Sequence, residues 1–357
     1  MRAAARERAI REPRAPARLL ALLKELRARG YAHTTVTPAT HARVNGRKGQ
    51  AWARDINGVL GWSRPFSGDV LPGPLLSRLQ AADLLEQVPG GWRSRVRVSS
   101  LDGVCYLHSA WPTQDPRAVF FGPDSHRFAH WLSEWLAHCR VPPARAVDIG
   151  CGAGPGAVTV ARHCPQAEVW GVDINDRALA YAAASAEAAG LDGIRWRHGD
   201  LLQGLPGEFD LIVANPPYLL DAARRQYRHG GGARGEGLSL RILECALERL
   251  APAGTLLLYT GAAMVRGADP FLARLQARLA GEPVSWRYRE LDPDVFGEEL
   301  EQAPYADVER IAAVGLQVCR PGRCARDDRF TAPRRRLRSR RTRSPPGGVC
   351  PTTPWAG

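Results

Sequence analysis

Between residues 140 and 320, short apolar runs alternate with stretches of helical periodicity. That alternation demands parallel strands joined by crossover helices, because successive strands separated by helices cannot form simple hairpins. Strands are expected at 144–149, 168–172, 194–197, 209–214 and 255–259, and helices at 155–163, 177–189 and 238–250. A further helix at 270–279 precedes two late strands at 285–290 and 310–318.

The fourth strand ends abruptly. Leu211, Ile212, Val213 and Ala214 form an apolar run too short for a helix and suited to a strand covered on both faces. Asn215, Pro216 and Pro217 follow at once. Proline has no N–H to donate and its φ is fixed, so the strand stops there. Asn215 and Tyr218 are therefore presented at the carboxyl edge of the sheet, where open α/β folds bind ligands.

The first strand runs into Asp148-Ile149-Gly150-Cys151-Gly152-Ala153-Gly154-Pro155-Gly156. Gly150, Gly152 and Gly154 allow a sharp turn and close approach of backbone to a ligand. Pro155 suits the first turn of a helix. It also occupies the third glycine position of the dinucleotide fingerprint, which speaks against that fingerprint. Asp173 ends the second strand 23 residues after Gly150. A carboxylate there can accept both hydroxyls of a ribose, or with Asn175 and Asp176 it can cap the next helix. Asp200, followed by Leu201, could accept from an adenine amino group or serve an ordinary turn.

Together these pieces resemble the class I S-adenosylmethionine-dependent methyltransferases over residues 118–320. The resemblance implies a Rossmann-like, seven-stranded, mostly parallel α/β sheet with an antiparallel last strand, and S-adenosyl-L-methionine as cofactor. It would place Asp148, Gly150, Gly152 and Gly154 at the methionine and ribose end, Asp173 on the ribose, and Asp200 with Leu201 on the adenine. Asn215-Pro216-Pro217-Tyr218 is similar to the motif of amide- and amino-nitrogen methyltransferases. These include the HemK-like glutamine N5 group and the adenine N6 and guanine N2 enzymes. In that reading the Asn215 side-chain oxygen and the Pro216 carbonyl accept the two N–H bonds of a planar nitrogen. Its lone pair then points at the cofactor, and Asn215 also borders the cofactor site. Tyr218 stacks on the planar group. Such catalysis is positioning and electrostatics, with no obligatory strong base.

Two flanking segments belong to the same comparison. Phe121, Gly122 and Asp124 lie where this family closes a segment over the methionine portion, although the phenylalanines of 118–130 also suit a core. Gly230 to Gly237 resembles the glycine-rich segment of HemK-like enzymes, a substrate lid or a plain linker. Residues 221–229 depart from the HemK-like pattern, carrying Arg224, Arg225 and Arg228 in place of an acidic-proline stretch.

Composition narrows the class further. The net charge of +13 is concentrated in residues 321–357, which hold ten arginines and two aspartates, +8 of the total. That Pro- and Arg-rich tail reads as disordered and could contact RNA. Arginine outnumbers lysine 47 to 2 throughout, so a coding bias explains it as well. No apolar run is long enough to span a membrane, residues 1–19 lack a secretory apolar block, and the eight cysteines show no C-x-x-C pair. A cytoplasmic protein with reduced thiols follows. His126, His130 and His138 could share a helix face, but nothing supplies further metal ligands. Residues 1–117 read as a helix-rich accessory domain for substrate recognition, in which 34–47 could touch phosphate or form a surface loop. The expected organisation is thus 1–117, 118–320 and 321–357. The expected function is methyl transfer to a planar nitrogen of a macromolecule. The first choice is a glutamine of a translation-related protein, then an adenine N6 or guanine N2 amino group of RNA or DNA. A non-catalytic RNA-binding module is a third reading, and oligomeric state is left open.

Overall fold

A computed structural model describes residues 16–113 and 115–322. The chain begins with helices α1 (Ala17–Ala28), α2 (Pro38–Asn45), α3 (Ile56–Leu60) and α4 (Gly73–Ala81). Two hairpins follow, β1 (Leu85–Val88) with β2 (Gly91–Ser94), and β3 (Val96–Leu101) with β4 (Val104–Ser109). Next come α5 (Pro123–His138), β5 (Arg145–Ile149), α6 (Pro155–His163), β6 (Glu168–Asp173), α7 (Asp176–Ala188), β7 (Arg195–His198) and β8 (Phe209–Ala214). The chain closes with α8 (Gly237–Arg249), β9 (Leu250–Met264), α9 (Pro270–Leu279), β10 (Ser285–Asp292) and β11 (Arg310–Cys319).

Seven strands form one sheet in the order β10-β11-β9-β8-β5-β6-β7. The pairs β7–β6, β6–β5, β5–β8 and β8–β9 are parallel, and β11 runs antiparallel between β9 and β10. The chain order reverses at β5, which is the topological switch where open α/β sheets bind ligands. Residues 147, 149, 212 and 214 feed one apolar layer beneath α8 and α9, while 146, 211 and 213 feed the layer on the opposite face. Both faces are covered, which is why these strands read as nearly continuous apolar runs.

Register sets the site. Ile149 pairs with Val172 and Ala214, and Ala214 pairs with Leu258. The next residues, Gly150, Asp173, Asn215 and Tyr259, therefore stand in a row along the carboxyl edge. Two of these, Gly150 and Asp173, were linked by spacing in the sequence; Tyr259 was not.

β9 is longer than expected, reaching from Leu250 to Met264: its last ten residues, from Thr255, pair with the ten-residue β11, and Leu250 pairs with Phe209 of β8. The expected end of α8 at 250 therefore shifts back to Arg249.

The apolar core does not stop at residue 117. Helix α7 is buried on nearly every side, from Ala178 through Ala188. An amphipathic helix on an open sheet would show one apolar stripe; here α1 and β4 pack over the side turned away from the sheet. Its run of alanines lets three layers approach closely. Ser185 Oγ accepts from the Leu107 N–H at 3.2 Å, and Arg27 donates to the Ala188 carbonyl at 2.7 Å. In segment 34–47, Thr37 caps α2 by accepting from the Thr40 N–H, and Thr35 is buried against Ser99. Among the described residues no helix is long and apolar enough to cross a membrane.

Candidate active site

A cavity of about 600 Å³ opens at the carboxyl edge of β5, β6 and β8. Its floor is the loop after β5. Gly150, Gly152 and Gly154 all have positive φ, at 67°, 54° and 92°. A Cβ on Gly150 would meet no protein atom within 4 Å, and Gly150 lines the cavity. The loop thus leaves space on its ligand side, as a backbone cradle for a bound group requires. Gly156 serves packing instead. A Cβ there would come within 2.6 Å of an Asp148 carboxylate oxygen.

Three carboxylates meet the cradle. Asp148 is buried beneath it and accepts the Ala157 N–H at 2.9 Å in the first turn of α6. Burial pushes its carboxyl up to about 7, opposed by that hydrogen bond. Asp173 accepts the Gly152 N–H at 2.9 Å through one oxygen and the Asn175 N–H at 2.9 Å through the other. Burial raises it above the usual carboxylate range, while those backbone bonds pull the other way. Asp200 lies at the rim, half-buried, paired with Arg241 at 2.7 Å; both line the cavity, as does Leu201. Asn175, for its part, caps α7 through the Arg177 N–H. Asp173 is therefore free of that capping duty.

The turn after β8 forms the opposite wall. Asn215, Pro216, Pro217 and Tyr218 all line the cavity. The Asn215 amide makes no hydrogen bond with any described residue. Tyr218 is held differently from the sequence-based expectation of a ring open for stacking. It is only 6 % exposed. Its ring packs on Gly261, where a Cβ would collide with it, and meets Phe296 edge-on at 5.7 Å. Its hydroxyl donates to Asp124 at 2.7 Å.

The glycine-rich segment is packed under this turn. A Cβ on Gly235 would strike the Tyr218 carbonyl, and one on Gly230 would lie 2.6 Å from the Pro217 carbonyl. The Gly230 N–H donates to the Leu219 carbonyl at 2.8 Å. Of the three arginines in 221–229, Arg225 pairs with Asp221 and Arg228 with Asp221 and Glu299. Arg225 and Tyr227 also donate to the Thr113 carbonyl, fastening the loop across the cavity. Arg224 is exposed and lines the cavity.

The segment before α5 supplies the remaining wall through Ala118, Val119 and Phe120, joined by Asp124 from the first turn of α5. Phe121 is instead core, stacked on Tyr106 at 5.0 Å. His126 packs edge-on to Phe121 and His130, and among the described residues no group of three potential metal ligands converges. Sequence reasoning missed Tyr259, whose hydroxyl donates to Asp124 at 2.8 Å, and missed that Phe120 and Ile174 stand half-open at the cavity. Only strand register could have revealed Tyr259.

A switch-point cavity with a glycine cradle, an acid at the second strand tip and a sheet closed by one antiparallel strand defines a class I S-adenosylmethionine-dependent methyltransferase. Residues 132–265 match the family model of the methyltransferase small domain. The chain is 34% identical over 216 residues to a release factor glutamine methyltransferase from Deinococcus radiodurans, covering 58% of this chain and 73% of that protein. It is 38% identical over 127 residues to a ribosomal protein uL3 glutamine methyltransferase from Neisseria meningitidis, covering 32% and 42%. The chain belongs to the HemK-like methyltransferase family. Its match spans less than half the length of the uL3 relative.

Proposed function

We propose that this protein methylates the amide nitrogen of a glutamine side chain in a translation-related protein, in the cytoplasm. The observation that carries the reading is the Asn215 amide. It stands in the cavity, one strand from the glycine cradle, with no partner among the described residues. An amide nitrogen is a weak nucleophile because its lone pair is delocalised into the carbonyl. The Asn215 Oδ1 and the Pro216 carbonyl would accept its two N–H bonds, so the residues fix which way the lone pair points. S-adenosylmethionine supplies an electrophilic sulfonium methyl. Asp173 would accept from its ribose hydroxyls, the 150–154 backbone would border its methionine and ribose, and Asp200 with Leu201 would meet the adenine.

The closed ring of Tyr218 favours an amide over a base. A flipped nucleobase takes much of its binding from an open aromatic face. Tyr218 gives one side of its ring to Gly261, meets Phe296 in a T-shaped contact and is 6 % exposed, leaving little face to offer. The relatives that act on a release factor or on uL3 point the same way. The tail, beyond the described residues, remains a candidate RNA contact.

The test uses methyl-tritiated cofactor with a purified release factor or ribosomal protein uL3 as acceptor, alongside total RNA. Label is expected on a glutamine of the protein acceptor, and label on RNA alone would overturn the substrate. Asn215→Ala should lower turnover by about 10²-fold or more while cofactor binding persists, whereas Asp173→Ala should weaken cofactor binding itself.

A further inference from the structure

We infer that Asp124 is a positioning residue for methyl transfer, acting on the reaction through Tyr218. This rests on the proposed role of the 215–218 turn. Asp124 comes from the first turn of α5, Tyr218 from the turn after β8, and Tyr259 from β9. The three meet on one carboxylate. Tyr218 donates to Oδ2 at 2.7 Å, Tyr259 donates to Oδ1 at 2.8 Å, and Arg127 approaches Oδ1 at 3.2 Å. Arg127 in turn pairs with Asp292 at 2.7 Å.

The arrangement is costly enough to require a reason. Asp124 is 3 % exposed, and burying a carboxylate is unfavourable unless donors surround it. Two tyrosine hydroxyls and a guanidinium supply that surround. A tie built only to hold α5 against the sheet would not need to border the ligand cavity, yet Asp124 and Tyr218 both line it. Hydroxyl donation to a fixed acceptor removes the rotation that would otherwise let the Tyr218 ring and its turn drift. Gly261 and Phe296 restrict the ring from its sides, and Asp124 fixes its far end. The carboxylate thereby couples the segment before α5, which walls the cofactor cavity, to the turn that would grip the acceptor nitrogen.

The groups facing Asp124 from each packed element are Tyr218, Tyr259 and Arg127, with Asp292 behind Arg127. Asp292 also pairs with Arg127, but among the described residues no other acid is bonded to the two tyrosine hydroxyls, so a single isosteric change isolates the tie. Asp124→Asn keeps the volume but cannot accept two hydroxyl protons and the guanidinium at once.

The experiment measures three properties of full-length Asp124→Asn, Tyr218→Phe and the double variant. The first is methyl transfer to the glutamine acceptor. The second is S-adenosylhomocysteine affinity by calorimetry. The third is amide hydrogen exchange in peptides covering 215–224. Expected are a fall in kcat of about 10²-fold with acceptor KM changed much less, a cofactor affinity within about twofold of wild type, and faster exchange in 215–224. The double variant should fall no further than the worse single variant, because both changes cut one tie. Additive losses, or lost cofactor affinity with retained kcat, would overturn the proposal and make Asp124 a direct cofactor ligand. If Asp124→Asn does not fold, Tyr218→Phe and Tyr259→Phe carry the test: unaltered exchange at 215–224 in both would sink it. The exchange readout needs no acceptor, so a wrong substrate and a wrong role for Asp124 give separable failures.

Discussion

At the scale of the residue, the site is a set of buried carboxylates whose duties are divided by their donors. Among the described residues Asp148 has one backbone donor and no cation beside it, so burial holds its carboxyl at about 7 against 3.8 for a free aspartate. A group whose folded value is raised keeps a proton that the unfolded chain releases. Stability is then fully present below about pH 4 and declines as pH rises to about 7, by up to ~4 kcal/mol. Asp148→Asn should flatten this part of the profile and gain stability relative to wild type above pH 7. Urea unfolding at pH 5 and pH 8 checks it, and an identical slope in both proteins would rule the cause out. Asp173, by contrast, has two backbone donors, and Asp124 has three side-chain donors. The acid and glycine positions at 148–154 and 173 were legible in the sequence because their spacing is local to one βαβ unit. Asp124 and Tyr218 are 94 residues apart, and nothing in their neighbourhoods announces the contact.

At the scale of the element, the glycine-rich segment before α8, expected as a substrate lid or a plain linker, is packed against the turn after β8. A lid would need freedom to move, whereas this segment lies against the backbone of the 215–218 turn with its glycines at the points of contact. Gly235 adopts φ 101°, a region closed to side chains, and has the Tyr218 carbonyl where a Cβ would go. Gly235→Ala should therefore cost about 2 kcal/mol or more and displace the turn. Thermal unfolding and turnover should fall together, with the larger loss in turnover. A variant with wild-type turnover would show that the segment is not a buttress. The basic loop 221–229 is likewise fastened by Asp221, Glu299 and the Thr113 carbonyl. Most of its charge is spent inside the protein, which counts against an extended phosphate-binding stripe.

At the scale of the whole molecule, the first hundred residues do more than accompany the sheet. Leu19, Leu22, Leu23 and Leu26 of α1 belong to the same apolar cluster as Leu179 and Ala183 of α7 and Val158 of α6. Removing residues 1–117 would expose the outer side of α7 and of the β4 contact. We expect the remaining fragment to lack a cooperative melting transition, because it loses the partner of a helix buried on nearly every side. A sharp transition near the full-length midpoint would show instead that the sheet folds alone. Sheet closure needs nothing beyond Cys319, since β11 completes the seventh strand there.

The sequence by itself determined the parallel α/β core, the glycine-rich turn after its first strand and the position where the fourth strand must stop. Each depends on interactions within a few residues: strand periodicity, positive φ at glycine, and the missing N–H of proline. Only the tertiary structure decided that Gly150, Asp173, Asn215 and Tyr259 share one edge, because register is a property of paired strands. It also decided that Tyr218 is closed rather than open, and that Asp124 is the acceptor of two tyrosines. Those facts depend on side chains from distant elements converging in a dry interior, where an unpaired carboxylate would be too costly to keep.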